Sequence, residues 1–174
     1  QLNDRLTGSR FLRGVTQVGG VAIDFTAAQL AEIVAETDRI EQDFSELESI
    51  IAHNASLIDR LETTGVLTDR TAWDHAVVGV VGRASGLDQD LRRDRPFAAY
   101  DELSVKVANY RYGDVRARMR VRMDEIHESM RLIREIRLKI PQGPVAVESS
   151  HRAQAGEWAL SAVESWRGEI LYMV

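Results

Sequence analysis

Leu30, Ile33, Val34, Thr37, Ile40, Phe44, Leu47, Ile51, Ile58 and Leu61 recur at three- and four-residue steps. That spacing lays one largely apolar stripe along a helical face. Asp24 and Thr26 stand where an N-cap belongs, and Gln29 follows Thr26 at capping-box distance. The pattern predicts a long helix that breaks near His53-Asn54 and whose second piece is closed by Gly65.

A second long helix is predicted from Asp114, preceded by Gly113, to Pro141. Val115, Met119, Met123, Ile126, Met130, Ile133 and Ile140 mark its expected buried stripe. Between the two helices, Thr68 caps a short helix over Asp69 to Ala76. The glycines at 79, 82 and 86 and Pro96 argue for irregular structure, and Ser104 to Ala108 for a brief strand. At the start, Gln1 to Leu6 ends a helix, and Gly8 to Val21 is a glycine-punctuated loop or extended stretch. After the Gly143-Pro144 turn, Trp158 to Val163 and Glu169 to Val174 read as two extended segments, a hairpin or strand–loop–strand.

Charge then distinguishes the two long helices. The first carries Glu32, Glu36, Asp38, Glu41, Asp43, Glu46 and Glu48, the second Arg116, Arg118, Arg120, Arg122, Arg131, Arg134 and Arg137. Antiparallel pairing with complementary flanks follows as an expectation. Exposed pairs add only about 0.2–1 kcal/mol each, so burial has to supply most of the stability.

Composition narrows the chemistry. The chain has 174 residues, enough for one domain or a piece of one, and a net charge of −5, which argues against a nucleic-acid footprint. No apolar run approaches the roughly 20 residues that span a bilayer. The absence of cysteine removes disulfides, thiolate zinc sites, iron–sulfur clusters and a cysteine nucleophile from these residues. No signal segment opens the chain, so the cytoplasm is the default compartment. The start at Gln1 and the stop within Ile170-Leu171-Tyr172-Met173-Val174 read as cuts in a longer protein, of which this is a single interior domain spanning 1–174.

Candidate chemistry is sparse. His53, His75, His127 and His151 lie far apart, none with another histidine three or four residues away, so no metal site is expected. Gly79 to Gly86 lacks the Gly-Lys-Ser/Thr of a phosphate loop and the βαβ context of a dinucleotide fingerprint. It is read as a tight turn that sets Arg83 and Ser85 against a neighbouring surface. The dense mixed charges of Asp88 to Pro96 ordinarily form a solvated loop; the alternative is a rigid, salt-bridged loop that walls a site. Met119, Met123 and Met130 suit core filling. In Val163 to Glu169, Arg167 sits between two apolar strands. Pattern alone makes it an exposed turn residue, though such an arginine can also be aimed into a cleft to hold an anion or a metal-bound diatomic ligand.

Four stretches, in order, resemble one family. They are Leu6-Thr7-Gly8-Ser9-Arg10-Phe11-Leu12-Arg13-Gly14-Val15 with Gly19-Gly20-Val21; Gly82-Arg83-Ala84-Ser85-Gly86 through Asp90-Leu91-Arg92-Arg93 to Pro96 and Tyr100-Asp101-Glu102; Gly113-Asp114-Val115 to Arg131-Leu132-Ile133; and Glu164 to Glu169. The chain is similar to the large subunits shared by NADH:quinone oxidoreductase (the quinone-site subunit of respiratory complex I) and the membrane-bound, group 4 nickel–iron hydrogenases such as formate hydrogenlyase. Phe11-Leu12-Arg13-Gly14 leans toward the hydrogenase branch.

The resemblance implies a mainly α (α+β) fold of the nickel–iron hydrogenase large-subunit kind: two long antiparallel helices, an ordered loop region and a small C-terminal β element. It implies a parent oxidoreductase that carries electrons from an iron–sulfur small subunit to quinone or protons, within a multi-subunit complex attached to the inner face of the membrane. In that family the metal ligands lie in two Cys-x-x-Cys motifs near the ends of the full subunit, and the quinone-site histidine lies on an N-terminal hairpin. None of these falls in this sequence, so no cofactor is expected on the fragment and the fragment alone is expected to be inactive. Arg167 matches the arginine of the family's Pro-Arg-Gly turn, which reaches over the metal centre in hydrogenases, while Arg83, Ser85, Asp90 and Glu164 are implied as wall or support. Trp166 replaces the usual proline of that turn and Ser165 the usual alanine. The rival readings are a non-catalytic scaffold subunit that keeps the fold for assembly, and an unrelated helical interaction module.

Overall fold

The structure, a computed structural model, describes residues 2–148, 154–165 and 168–174. It is mostly helical, with two small two-stranded sheets. Helix α1 (Leu2–Thr7) leads into a loop holding the short strands β1 (Thr16–Gln17) and β2 (Gly20–Val21), which pair antiparallel. Gly19 and Gly20 lie against the segment after the last helix: Val21 N–H donates to the Val145 carbonyl at 3.0 Å and Val147 N–H to the Gly19 carbonyl at 2.9 Å. A Cβ at Gly19 would stand 2.1 Å from the Val147 carbonyl oxygen, and its φ is +90°, so this junction requires glycine.

Helix α2 (Ala27–Ala52) begins with the predicted capping box, in which Thr26 and Gln29 satisfy each other's backbone N–H groups. It ends at His53, and Asn54 caps α3 (Ala55–Leu61) by accepting from Leu57 N–H, so the break falls where the apolar spacing predicts it. Thr26→Ala is expected to cost about 1 kcal/mol. A thermal melt lowered by no more than experimental error would show that the box contributes nothing to the fold.

Several boundaries differ from expectation. Helix α3 stops at Leu61, four residues before Gly65, as Glu62 turns extended and Thr63 takes a positive φ of 55°. Helix α4 (Asp69–Asp74), capped by Thr68, ends before Ala76, whose φ is 49°. The stretch from 79 to 96 is not irregular: it contains α5 (Gly79–Ala84) and α6 (Leu91–Asp94). Gly79 and Gly86, with φ of +70° and +95°, bound α5 rather than disrupt it. Gly82 lets the helix approach the Val77 carbonyl, which a Cβ would meet at 2.6 Å. Residues 104–108 form no strand; they follow a 3-10 turn (Tyr100–Glu102) and lead, without regular structure, toward α7 (Val115–Lys139).

Asp114 caps α7, accepting from Ala117 N–H at 2.7 Å and from Thr63 N–H at 2.9 Å. The core joins α5 to α7 through Val80, Ala84, Ala117 and Val121, with Ala108 and Tyr110 packed beside them. On α7 the most buried positions are therefore Ala117, Val121, Glu128, Met130 and Leu132, whereas Ile133 and Ile140 of the predicted stripe are exposed. The reason is that α7 packs chiefly against α5 and α2, with α3 beside its first turns, and its burial is divided among them. Toward α2, Arg134 pairs with Asp38 and Glu41, while His127 meets Glu41 and Glu48.

Strands β3 (Leu160–Ser165) and β4 (Gly168–Met173) pair antiparallel from Leu160–Met173 to Ser165–Gly168. Leu160, Leu171, Tyr172 and Met173 on this hairpin are exposed. Among the described residues, no helix is long and apolar enough to cross a membrane.

Candidate functional site

The hairpin is tied to the helical core by one buried arginine. Arg83, on the last turn of α5 and 4% exposed, donates from Nε to Glu125 of α7 at 2.7 Å. Its Nη1 donates to Glu164 of β3 at 2.6 Å and to the Gln89 carbonyl at 2.8 Å. Asp90, 2% exposed, stands 3.6 Å from the same nitrogen. A planar guanidinium suits this arrangement because its fixed fork can serve several acceptors at once.

Two of the carboxylates, Glu164 and Asp90, are held from a second side. The other Glu164 oxygen accepts from Leu91 N–H at 3.0 Å. Asp90 caps α6 and takes a two-pronged bond from Arg92 at 2.7 and 3.0 Å. Burial alone would raise the Asp90 carboxyl, but the Arg92 hydrogen bond and the Arg92 and Arg83 charges outweigh it and hold that carboxyl below its ordinary value. The network thus connects α5, α6, α7 and β3. Two arginines face three carboxylates around a cleft of about 250 Å³, to which Phe97, Ser129 and Val163 contribute walls.

Three of the sequence-predicted wall residues, Arg83, Asp90 and Glu164, therefore meet. Ser85 does not join them: it is fully buried, and its hydroxyl donates to the Val81 carbonyl at 2.9 Å. The reading of 79–86 as a tight turn is corrected to a helix that buries Arg83 and Ser85. The mixed-charge run also departs from the solvated-loop expectation at Asp90, because the arginines of α5 and α6 neutralise it inside the protein. Arg93 with Asp88 and Asp94 remains a surface grouping. Arg167 and Trp166 lie outside the described residues, as does His151.

Glu125 was not singled out by sequence reasoning. Its signal was the register of α7: it lies four residues after Val121, on the side that packs against α5. Glu128 was also missed; it is buried and accepts from Lys106 N–H at 2.7 Å while pairing with Arg131. Among the described residues, no group of three or more His, Asp or Glu side chains could hold a metal ion.

Comparison with known proteins gives the frame for this site. Residues 1–159 match the profile of the respiratory-chain NADH dehydrogenase 49 kDa subunit family. An NADH-quinone oxidoreductase subunit of Akkermansia muciniphila is 32% identical over 142 residues, covering 82% of this chain and 34% of the relative. A carbon monoxide-induced hydrogenase of Rhodospirillum rubrum is 32% identical over 166 residues, covering 95% and 46%. A chain in the structure of the membrane-bound sulfane sulfur reductase, an archaeal respiratory membrane complex, superposes with a TM-score of 0.86 at 25% identity, covering 99% of this chain and 48% of that one. The chain thus spans between about a third and a half of the length of the relatives it matches.

Proposed function

This chain belongs to the respiratory-chain NADH dehydrogenase 49 kDa subunit family, and from that premise we propose that it forms the helical wall and hairpin mount of an oxidoreductase large subunit. In this reading the parent passes electrons from an iron–sulfur partner subunit to quinone or to protons. It works within a complex attached to the inner face of the membrane. The chain's own task is to hold one loop still. Relatives named for quinone oxidoreduction, carbon monoxide-induced hydrogenase activity and sulfane sulfur reduction support a redox role for the parent.

One observation carries the proposal: Arg83 grips Glu164, one pair from the turn end of the β3–β4 hairpin, while bound to Glu125 and close to Asp90. A surface hairpin has no need of a buried ionic anchor. Breaking a buried pair is costly because it strands a charge. A loop whose position matters for chemistry gains from such an anchor, since reacting groups must be held to well within an ångström. Arg167 is the group we place at the working end, on the strength of the family resemblance and of the anchored strand β3 that precedes it in sequence.

The donor set limits the cofactor. With no cysteine, the chain offers no thiolate ligands, so its residues do not by themselves fit a nickel–iron centre. In this reading the ligands of such a centre, or the groups that hold quinone, come from the rest of the parent.

The test is Arg167→Ala in the full-length parent within its complex. Turnover is expected to fall about a hundredfold or more, the scale for losing one preorganised donor at a reacting centre, while assembly stays intact. Wild-type turnover in an assembled complex would sink the reading. A wild-type complex that lacks redox turnover but falls apart without this subunit would establish the scaffold alternative.

A further inference from the structure

Away from the hairpin, the contact between α2 and α7 is built around a histidine whose two ring nitrogens both face carboxylates. His127 Nδ1 lies 3.3 Å from Glu41, and Nε2 lies 2.8 Å from Glu48. A neutral imidazole has one N–H and one lone pair, whereas the imidazolium has two N–H groups. Only the protonated ring can donate to both glutamates. We propose that His127 is a proton-operated bolt between α2 and α7, fully engaged as the imidazolium and half released as the neutral ring.

The surrounding charges leave this pairing intact. From α2, Glu41 and Glu48 face the ring, and Asp38 shares Arg134 with Glu41. From the segment before α7, Lys106 lines the same cleft, its backbone N–H bound to Glu128. On α7 itself, Glu128 pairs with Arg131, Arg131 also with Glu135, and Asp124 accepts from the Tyr110 hydroxyl. The Phe44 ring sits edge-on at 5.6 Å and shields one side. Glu41 has Arg134 as a second cation. The neutral ring therefore keeps its proton on Nε2 for Glu48 and turns the Nδ1 lone pair toward Glu41.

The sign follows from these contacts. The Glu48 hydrogen bond raises the imidazole pKa most, burial opposes it, and the Glu41 hydrogen bond with the charges of both glutamates leaves the ring above its ordinary value. The stabilisation is fully present below the unfolded value of about 6.5 and is lost as pH rises through the higher folded value. Because α7 also carries Glu125, two residues before His127, the protonation state of the bolt bears on the helix that anchors the hairpin.

The experiment is an NMR titration of the His127 ring in the full-length parent subunit, wild type against Glu48→Gln. The expected midpoint lies above about 6.5 in the wild type and moves down in Glu48→Gln. Thermal stability measured across the same pH range is expected to fall more steeply in the wild type than in His127→Gln. A wild-type midpoint at or below about 6.5, or one unmoved by Glu48→Gln, overturns the proposal. If His127→Gln does not fold, the Glu48→Gln titration decides alone.

Discussion

Arg83→Met is expected to destabilise the protein by about 3–5 kcal/mol, the range for removing one partner from a buried ion pair. Glu125 and Glu164 lose the guanidinium they share, and Asp90 is left with Arg92. Methionine nearly fills the volume, so the loss reports charge rather than a cavity. Arg83→Lys is expected to recover part of it, because a point charge on a flexible stem cannot serve both glutamates in the guanidinium's geometry. Denaturant titration of the three proteins checks this. A loss in Arg83→Met below about 1 kcal/mol, the value for exposed pairs, would mean that water reaches the network.

The second large effect is at Gly113. Its φ is +65°, and a Cβ there would fall 1.9 Å from the Leu67 carbonyl oxygen. The two backbones are also bonded, Leu67 N–H to the Gly113 carbonyl at 3.0 Å and Gly113 N–H to the Ala84 carbonyl at 2.8 Å, so neither can withdraw without losing a partner. Gly113→Ala is expected to cost about 1–2 kcal/mol for the left-handed backbone and about 1–3 kcal/mol for overpacking. Gly65→Ala, where the nearest atom is 3.6 Å away and φ is +59°, should show the first cost without the second. Equal losses at the two glycines in denaturant titration would remove the role assigned to the Leu67 contact.

Local signals in the sequence were dependable where the interaction is itself local. Thr26 with Gln29, Thr68 and Asp114 all cap the helices they were expected to cap, and Asn54 caps the one that follows the expected break, because a cap involves residues within one turn. The residues around 79–96 misled for the opposite reason. Glycine density argues against helix when read locally, but here two glycines take positive φ at the ends of α5 and the third makes room for Val77. Likewise, nothing near Asp90 in sequence announces that it is buried. Arg92 is close by, but Arg83, Glu125 and Glu164 come from three other elements, and such convergence is a property of the tertiary structure. The family motifs named Arg83, Asp90 and Glu164 without saying that they touch. The stripe on α7 holds in part: Met130 is buried and Val115, Met119, Met123 and Ile126 are half-buried, but Ile133 and Ile140 are exposed, because one period cannot describe a helix that packs against more than one neighbour.

The bonds of residues 19–21 with 145–147 also bear on how the chain reaches its fold. Every helix from α2 to α7 lies between these two short segments, so their meeting closes a very long excursion of the polypeptide. Loop-closure entropy grows with the logarithm of the length enclosed, and the two hydrogen bonds that make up this bridge offset little of it. That junction therefore forms after the helices have already brought its ends together, and it records an assembly completed elsewhere rather than starting one.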